Sequence, residues 1–122
     1  MFSFLRRGRG RGRLTPQPAH ERTSDGTAVL LDVRETAEWN AGHAPGALHL
    51  PLSRLAAGAS LPAAVQGRPV VTICRSGHRS QQAASLLVGR GFQATDVAGG
   101  MTAWARAGLP VLGQDGSDGV IA

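Results

Sequence analysis

The residues with chemistry to offer are gathered in one short run, Cys74-Arg75-Ser76-Gly77-His78-Arg79-Ser80, which holds the single cysteine of a 122-residue chain. A thiolate is a strong nucleophile, but an ordinary thiol is only a few per cent ionised at neutral pH. Making the thiolate dominant calls for about 2.7 kcal/mol of electrostatic help. A helix N-terminus supplies about 0.3–1 kcal/mol, so the remainder would fall to Arg75, Arg79 and the loop amides. Gly77 permits backbone dihedrals closed to other residues, which lets successive amides turn inward as a nest for negative charge. The expectation is a reactive thiolate in a cationic, anion-binding cup. The competing reading is a buried, inert thiol, against which the polar and cationic run after Cys74 weighs. One cysteine and four scattered histidines give no ligand pair at zinc spacing, so neither a metal nor a cofactor is expected.

Ordered elements must carry that loop. Pro69 to Ile73 reads as a strand leading into it. Gln81 to Val88 reads as a helix leading out, with Ala83, Ala84, Leu87 and Val88 on its buried side and Gln82 and Ser85 opposite. Further strands are expected at Arg13-Leu14-Thr15, Ala28 to Val33, Ala47 to Leu50, and Phe92 to Ala98 with a break at Asp96. Helices are expected from Pro16 to Thr23 with Thr15 as N-cap, from Glu35 to Trp39, in two pieces within Leu52 to Gln66, and from Thr102 to Ala107. Pro45-Gly46 suits the centre of a turn. Strands alternating with helices imply an α/β fold, a mostly parallel sheet of about five strands with helices on both faces.

Ligands of such sheets bind beyond the carboxyl ends of the strands. Asp32 to Arg34, Cys74, and Gly99 to Met101 all follow strands, so the three segments should meet on one edge. Arg34 has two readings, an ion pair with Glu38 or a neighbouring acid, or a place lining the mouth of the pocket. Met101 is a candidate to overhang that pocket. Trp39 reads as a packing residue and His43 as a hydrogen-bonded structural histidine. His78 could tune the thiolate if protonated, or face solvent. Ser76 and Ser80 could give hydroxyl hydrogen bonds to the site, with Ser80 better placed for the helix cap or first turn.

The length suits one domain with a real core. All 13 basic residues are arginine, and Arg6, Arg7, Arg9, Arg11 and Arg13 stand at the N-terminus. The other eight balance the eight acids, so the net charge of +5 belongs to the N-terminal end. The expected organisation is a disordered basic Arg/Gly tail over 1–11, a folded domain over 12–112 and a flexible C-terminal tail over 113–122. Nucleic-acid binding by the folded domain has no support. No apolar run approaches a membrane span. A lone cysteine fits a reducing compartment, so the expected location is cytoplasmic.

The chain resembles the single-domain rhodaneses, sulfurtransferases that use thiosulfate or persulfides. Three stretches carry the likeness, in the family's order. They are Leu31-Asp32-Val33-Arg34 through Glu38-Trp39 to Gly42-His43-Ala44-Pro45-Gly46-Ala47, then Cys74 to Ser80, then Gly99-Gly100-Met101 through Trp104 to Leu109-Pro110-Val111. The resemblance implies a rhodanese-like fold, with Cys74 catalytic and Arg75, Ser76, Gly77, His78, Arg79 and Ser80 binding substrate. The implied reaction moves a sulfane sulfur from thiosulfate or a small persulfide to cyanide or a thiol, through a Cys74 persulfide and with ping-pong kinetics. The implied partners are a small anionic sulfur donor, a thiol or cyanide acceptor, and protein sulfur donors or acceptors. The alternative is a persulfide carrier or partner-binding module in a sulfur relay, with little turnover of its own. Cysteine-based phosphatases look similar, but their loop is one residue longer between cysteine and arginine, which makes a larger cup.

Overall fold

The computed structural model describes residues 12–122. The basic stretch 1–11, with the disorder expected of it, lies outside the described residues. Strands β1 (Val29–Asp32), β2 (Leu48–His49), β3 (Val70–Ile73) and β4 (Ala94–Asp96) form a parallel sheet in the order β2-β1-β3-β4. Among the described residues the sheet therefore has four strands, where about five were expected from the alternating pattern. Leu14 stands at the place of the fifth but makes only one parallel bridge, to Val97. Pro16 lacks the N–H a ladder needs, and helix α1 (Pro16–Ser24) starts there instead. Thr15 precedes α1 as its N-cap, with no side-chain capping bond.

Alternation along the strands sends side chains to two cores. Val29, Leu31 and Val70 meet Leu55 of α3 (Leu52–Ala56) and Ala83 and Leu87 of α4 (Arg79–Gly89). Leu30, Val71 and Ile73 meet Ala19 of α1 and Met101 and Trp104 of α5 (Gly100–Arg106). Each face is thus covered by helices, which is why β1 and β3 are buried at every position. Full burial of a Leu, Ile or Val side chain is worth about 1.5–3 kcal/mol, so these clusters hold the sheet that carries the loop. Val88 departs from the expected face: it is 55% exposed, one further 100° step around α4 from buried Leu87.

Between β1 and β2 runs α2 (Thr36–Ala41). Glu35 and Glu38 close a capping box at its start. Trp39 packs as expected, its ring stacked on His43 and His49 with centroids 3.7 and 4.7 Å apart. His43 Nδ1 lies 2.9 Å from the Trp39 carbonyl oxygen. The Pro45-Gly46 turn is closed by Ala47 N–H donating to Ala44 O at 3.2 Å, with Gly46 at φ +76°. Residues 113–122 return along this side: Leu112 bridges His43 and Asp118, and Val120 N–H donates to Ala41 O. Among the described residues, no helix is long and apolar enough to cross a membrane.

Two ion pairs fix the ends of these elements. Arg34 and Asp32 are both fully buried, with Nη2 2.7 Å from Oδ2. Arg34 Nη2 also donates to Gly42 O at 2.6 Å. Arg34 therefore does not line an opening; its partner is the neighbouring acid Asp32, because Glu38 is engaged elsewhere. Glu38 takes a forked bond from Arg79 at 2.6 and 2.9 Å, tying α2 to the first turn of α4. Arg79's hydrogen bonds hold the Glu38 carboxyl below its ordinary value of 4.5, against a smaller opposing effect of burial.

Two outcomes are expected. Arg34→Ala strands a buried carboxylate and should lower unfolding free energy by about 3–5 kcal/mol in denaturant titrations; Arg34→Lys, lacking the planar fork, should recover only part of it. The Glu38–Arg79 pair should contribute about 1 kcal/mol or less, since both side chains are partly exposed. Because the folded carboxyl is the more acidic, that contribution is complete above the ordinary glutamate range and disappears as pH falls through the lowered folded value. Glu38→Gln should remove this acid-side slope from the stability–pH curve.

Candidate active site

Cys74 is the first residue beyond β3, on the α3–α4 face with Val70 and Thr72. Its side chain is buried, 1% exposed, beneath the loop. Arg75, Ser76 and His78 are exposed on the loop's outer side, and Gly77 and Ser80 are buried. The three segments expected on one sheet edge do meet. Met101 N–H donates to Cys74 O at 2.7 Å and Thr102 N–H to Arg75 O at 3.0 Å. A Cβ on Gly100 would collide with the Cys74 carbonyl oxygen, so only glycine lets α5 approach this closely. On the other side, Val33 N–H donates to Ile73 O at 2.9 Å, and Arg79 reaches Glu38. Met101 is fully buried against the second core rather than overhanging an opening.

Around the sulfur, Gly77 N–H donates to Cys74 Sγ at 3.1 Å. Gly77 holds φ +107°, a region L-residues rarely adopt. A Cβ there would stand 2.8 Å from Arg13 Nη2 and 3.2 Å from Gly99 N. The loop is thus packed at Gly77 against residues outside it. Cys74 Sγ–H donates to Ser80 Oγ at 3.4 Å, and Ser80 Oγ–H donates to Asp96 Oδ2 at 2.6 Å. Ser80 lies in the first turn of α4, one of the two places expected for it, and its hydroxyl lies between the thiol and a carboxylate. Thr72 Oγ1, buried in β3, donates to Ser80 O at 2.8 Å and holds the first turn of α4 in place.

Both loop arginines are engaged within the chain, although the Arg79 guanidinium, whose pKa is raised chiefly by Glu38, also feels the charge of Cys74. Arg79 faces Glu38, and Arg75 Nε donates to Ala122 O at 2.9 Å. A guanidinium from outside the loop, Arg13, donates to both oxygens of Asp96 at 2.9 and 3.1 Å and to Gly77 O at 3.2 Å. His78 is the residue before α4 and faces solvent, with no side-chain capping bond. Asp96 and Arg13 escaped the sequence reading. The available signal was an acid as the last residue of a strand, the same place Asp32 holds on β1. Among the described residues, no group of three or more His, Cys, Asp or Glu side chains could hold a metal ion.

This arrangement can hold one nucleophilic sulfur, give a hydrogen bond to negative charge on it, and accept or return its proton through a hydroxyl. Known proteins share the fold. Residues 15–107 match the family model of the rhodanese-like domain. A sulfurtransferase of Allochromatium vinosum is 40% identical over 99 residues, covering 79% of this chain and 90% of that protein. An adenylyltransferase and sulfurtransferase UBA4 of Yarrowia lipolytica is 35% identical over 94 residues; the match covers 77% of this chain but 24% of that protein. The human single-domain sulfurtransferase TSTD1 superposes with a TM-score of 0.65 at 30% identity, covering 77% of this chain and 95% of that one. With a matched domain spanning most of its length and a cysteine loop at the carboxyl edge of its sheet, the chain belongs to the rhodanese family of sulfurtransferase-type domains.

Proposed function

We infer that Cys74 is the nucleophile of a sulfur transfer in two steps. In the first, the Cys74 thiolate attacks the outer sulfur of thiosulfate or of a small persulfide. The S–S bond of the donor breaks, sulfite or a thiolate leaves with the electron pair, and Cys74 carries a persulfide. In the second, cyanide or a thiol attacks the outer sulfur, the new S–S bond breaks, and the Cys74 thiolate returns. The observation that carries this reading is the Gly77 N–H aimed at Sγ from 3.1 Å, a donor fixed by a backbone conformation that glycine alone adopts easily. A donor of this kind favours negative charge on the sulfur, which both steps require. A reducing, cytoplasmic setting fits the lone thiol.

One observation favours the second reading, a persulfide carrier with little turnover. Arg79 and Arg75 have partners within the chain, so neither is poised to draw in a free dianion. A protein donor could instead displace the exposed side of the loop and deliver sulfur directly to Cys74. Cyanide-dependent turnover of thiosulfate separates the two: rapid turnover supports the enzyme, and a stable persulfide with negligible turnover supports the carrier.

Intact-mass spectrometry after thiosulfate treatment should show a gain of one sulfur atom on the wild type and none on Cys74→Ala; an unchanged wild-type mass with thiosulfate and with small persulfides would sink the reading. If turnover is measurable, initial rates should follow ping-pong kinetics, with parallel double-reciprocal lines. Gly77→Ala should lower the persulfidation rate by at least tenfold, since displacing one preorganised donor costs on the order of 100-fold. Its circular dichroism spectrum should match the wild type.

A further inference from the structure

The reading of Cys74 as a nucleophile leaves a question about its resting proton, and the side chains beneath the loop answer it. Ser80 has a single hydroxyl hydrogen. At 2.6 Å from Asp96 Oδ2, that hydrogen is committed to the carboxylate. Toward sulfur, Ser80 Oγ can then only accept, and the group it accepts from is the Cys74 S–H at 3.4 Å. Asp96 is 2% exposed and is paired with Arg13, whose Nε and Nη2 meet its two oxygens. Gln81, its amide turned to face Arg13, adds an acceptor 2.8 Å from Nη1.

We propose that Asp96, held by Arg13, acts through Ser80 as a positioning residue that keeps Cys74 a thiol at rest and sets how readily its proton leaves. This rests on Cys74 being the nucleophile and goes beyond it by naming a control on that nucleophile. A carboxylate is a far weaker base than a thiolate, so the proton stays on sulfur while Asp96 is ionised. Activation breaks only the S–H bond. The proton leaves to water, the Ser80 hydroxyl turns from Asp96 Oδ2 to Sγ, and the thiolate then accepts from both Ser80 O–H and Gly77 N–H.

The other charged groups around the sulfur are placed differently. Arg79 is shared with Glu38 from α2, Asp32 and Arg34 neutralise each other in the interior, and Arg75 and His78 lie on the exposed side of the loop. Arg13 and Asp96 are the charged groups coupled to the sulfur through a hydrogen-bonded hydroxyl. They enter from the segment before α1 and from the end of β4, so the control comes from residues outside the loop.

The chain has one cysteine, so alkylation and the infrared S–H stretching band both report on Cys74 alone. The test compares iodoacetamide alkylation at neutral pH in the wild type, Asp96→Asn and Arg13→Gln. Asn at 96 can donate to Ser80 Oγ and frees the Ser80 proton for sulfur, so alkylation should quicken by about tenfold, the equivalent of one unit of proton affinity. Gln at 13 leaves the carboxylate charge uncompensated, so alkylation should slow severalfold. Loosening of the loop would quicken both, and opposite signs are what the proposal requires. Equal signs, or an Asp96→Asn variant that is slower or unchanged, would overturn it.

If Asp96→Asn does not fold, the S–H band decides. The wild-type band should lie at lower frequency than that of Ser80→Ala, which lacks the acceptor; coincident bands would overturn the proposal. Failure of both thiosulfate and small persulfides to persulfidate Cys74 while the opposite signs hold would remove the sulfur-transfer reading and leave the proton control standing.

Discussion

The geometry of the cysteine loop depends on two hydrogen bonds that are not part of it. The second and third amides of α5, at Met101 and Thr102, are given to the carbonyls of Cys74 and Arg75. A trans peptide unit points its C=O and N–H in opposite directions. Holding those two carbonyls on the α5 side therefore turns the Arg75 and Ser76 amides away from α5. The arrangement needs α5 to lie against the loop backbone, and Gly100 makes that approach possible by having no side chain to strike the Cys74 carbonyl. The double glycine after β4 thus acts on the cysteine at a distance of many residues in sequence, through contact in space. The donor that reaches sulfur, Gly77 N–H, comes from the residue after Ser76, a glycine with positive φ.

Charge in this domain is used to fasten elements more than to attract ligands. Asp32–Arg34, Glu38–Arg79 and Asp96–Arg13 lie around the same edge of the sheet. Each joins a group near a strand end or an early helical turn to another such group. The fully buried pair differs energetically from the two partly exposed ones. Removing one member of a buried pair leaves an uncompensated charge and costs several kcal/mol, whereas exposed pairs are worth about 0–1 kcal/mol. The outer pairs matter through geometry instead. Glu38 closes the cap of α2 and receives Arg79, so the start of α2 and the start of α4 are set by one carboxylate. Asp96 does the same for Arg13 and Ser80.

Much of this was legible in the sequence, and what was missed has a common cause. The β3–loop–α4 unit, the parallel sheet, the Pro45-Gly46 turn, the packing role of Trp39 and the meeting of three segments on one edge follow from local patterns and from the alternation of element types. Patterns of that kind carry no information on which distant side chains pair. Arg34 could be limited to two readings, but the choice of Asp32 over Glu38 depended on where α4 delivers Arg79. Asp96 read as a break in a strand because its partners lie 16 and 83 residues away at Ser80 and Arg13. The fifth strand failed for a local reason that was visible: Pro16 cuts the ladder after Leu14. The expected exposure pattern of α4 failed only at Val88, next to the helix end.

Burial of the nucleophile imposes a further condition on any chemistry at Cys74. With 1% of the residue exposed, the sulfur reacts from a state in which the loop has moved, and the observed rate is the intrinsic rate multiplied by the population of that state. Each 1.4 kcal/mol of opening free energy lowers that rate about tenfold. The structure limits where the movement can occur. The carbonyls of Cys74 and Arg75 are bound to α5, and from Arg79 onward the chain is helix, with the Ser80 carbonyl held by Thr72. Ser76, Gly77 and His78 are thus the loop residues whose backbone is tied neither to α5 nor to Thr72. Gly77 is at once the donor to sulfur and the residue tied by Arg13 through its carbonyl. Arg13 therefore acts on the two in opposite senses: a shift of its side chain weakens its hold on Gly77, which favours opening, and leaves Asp96 less neutralised, which favours keeping the proton on sulfur.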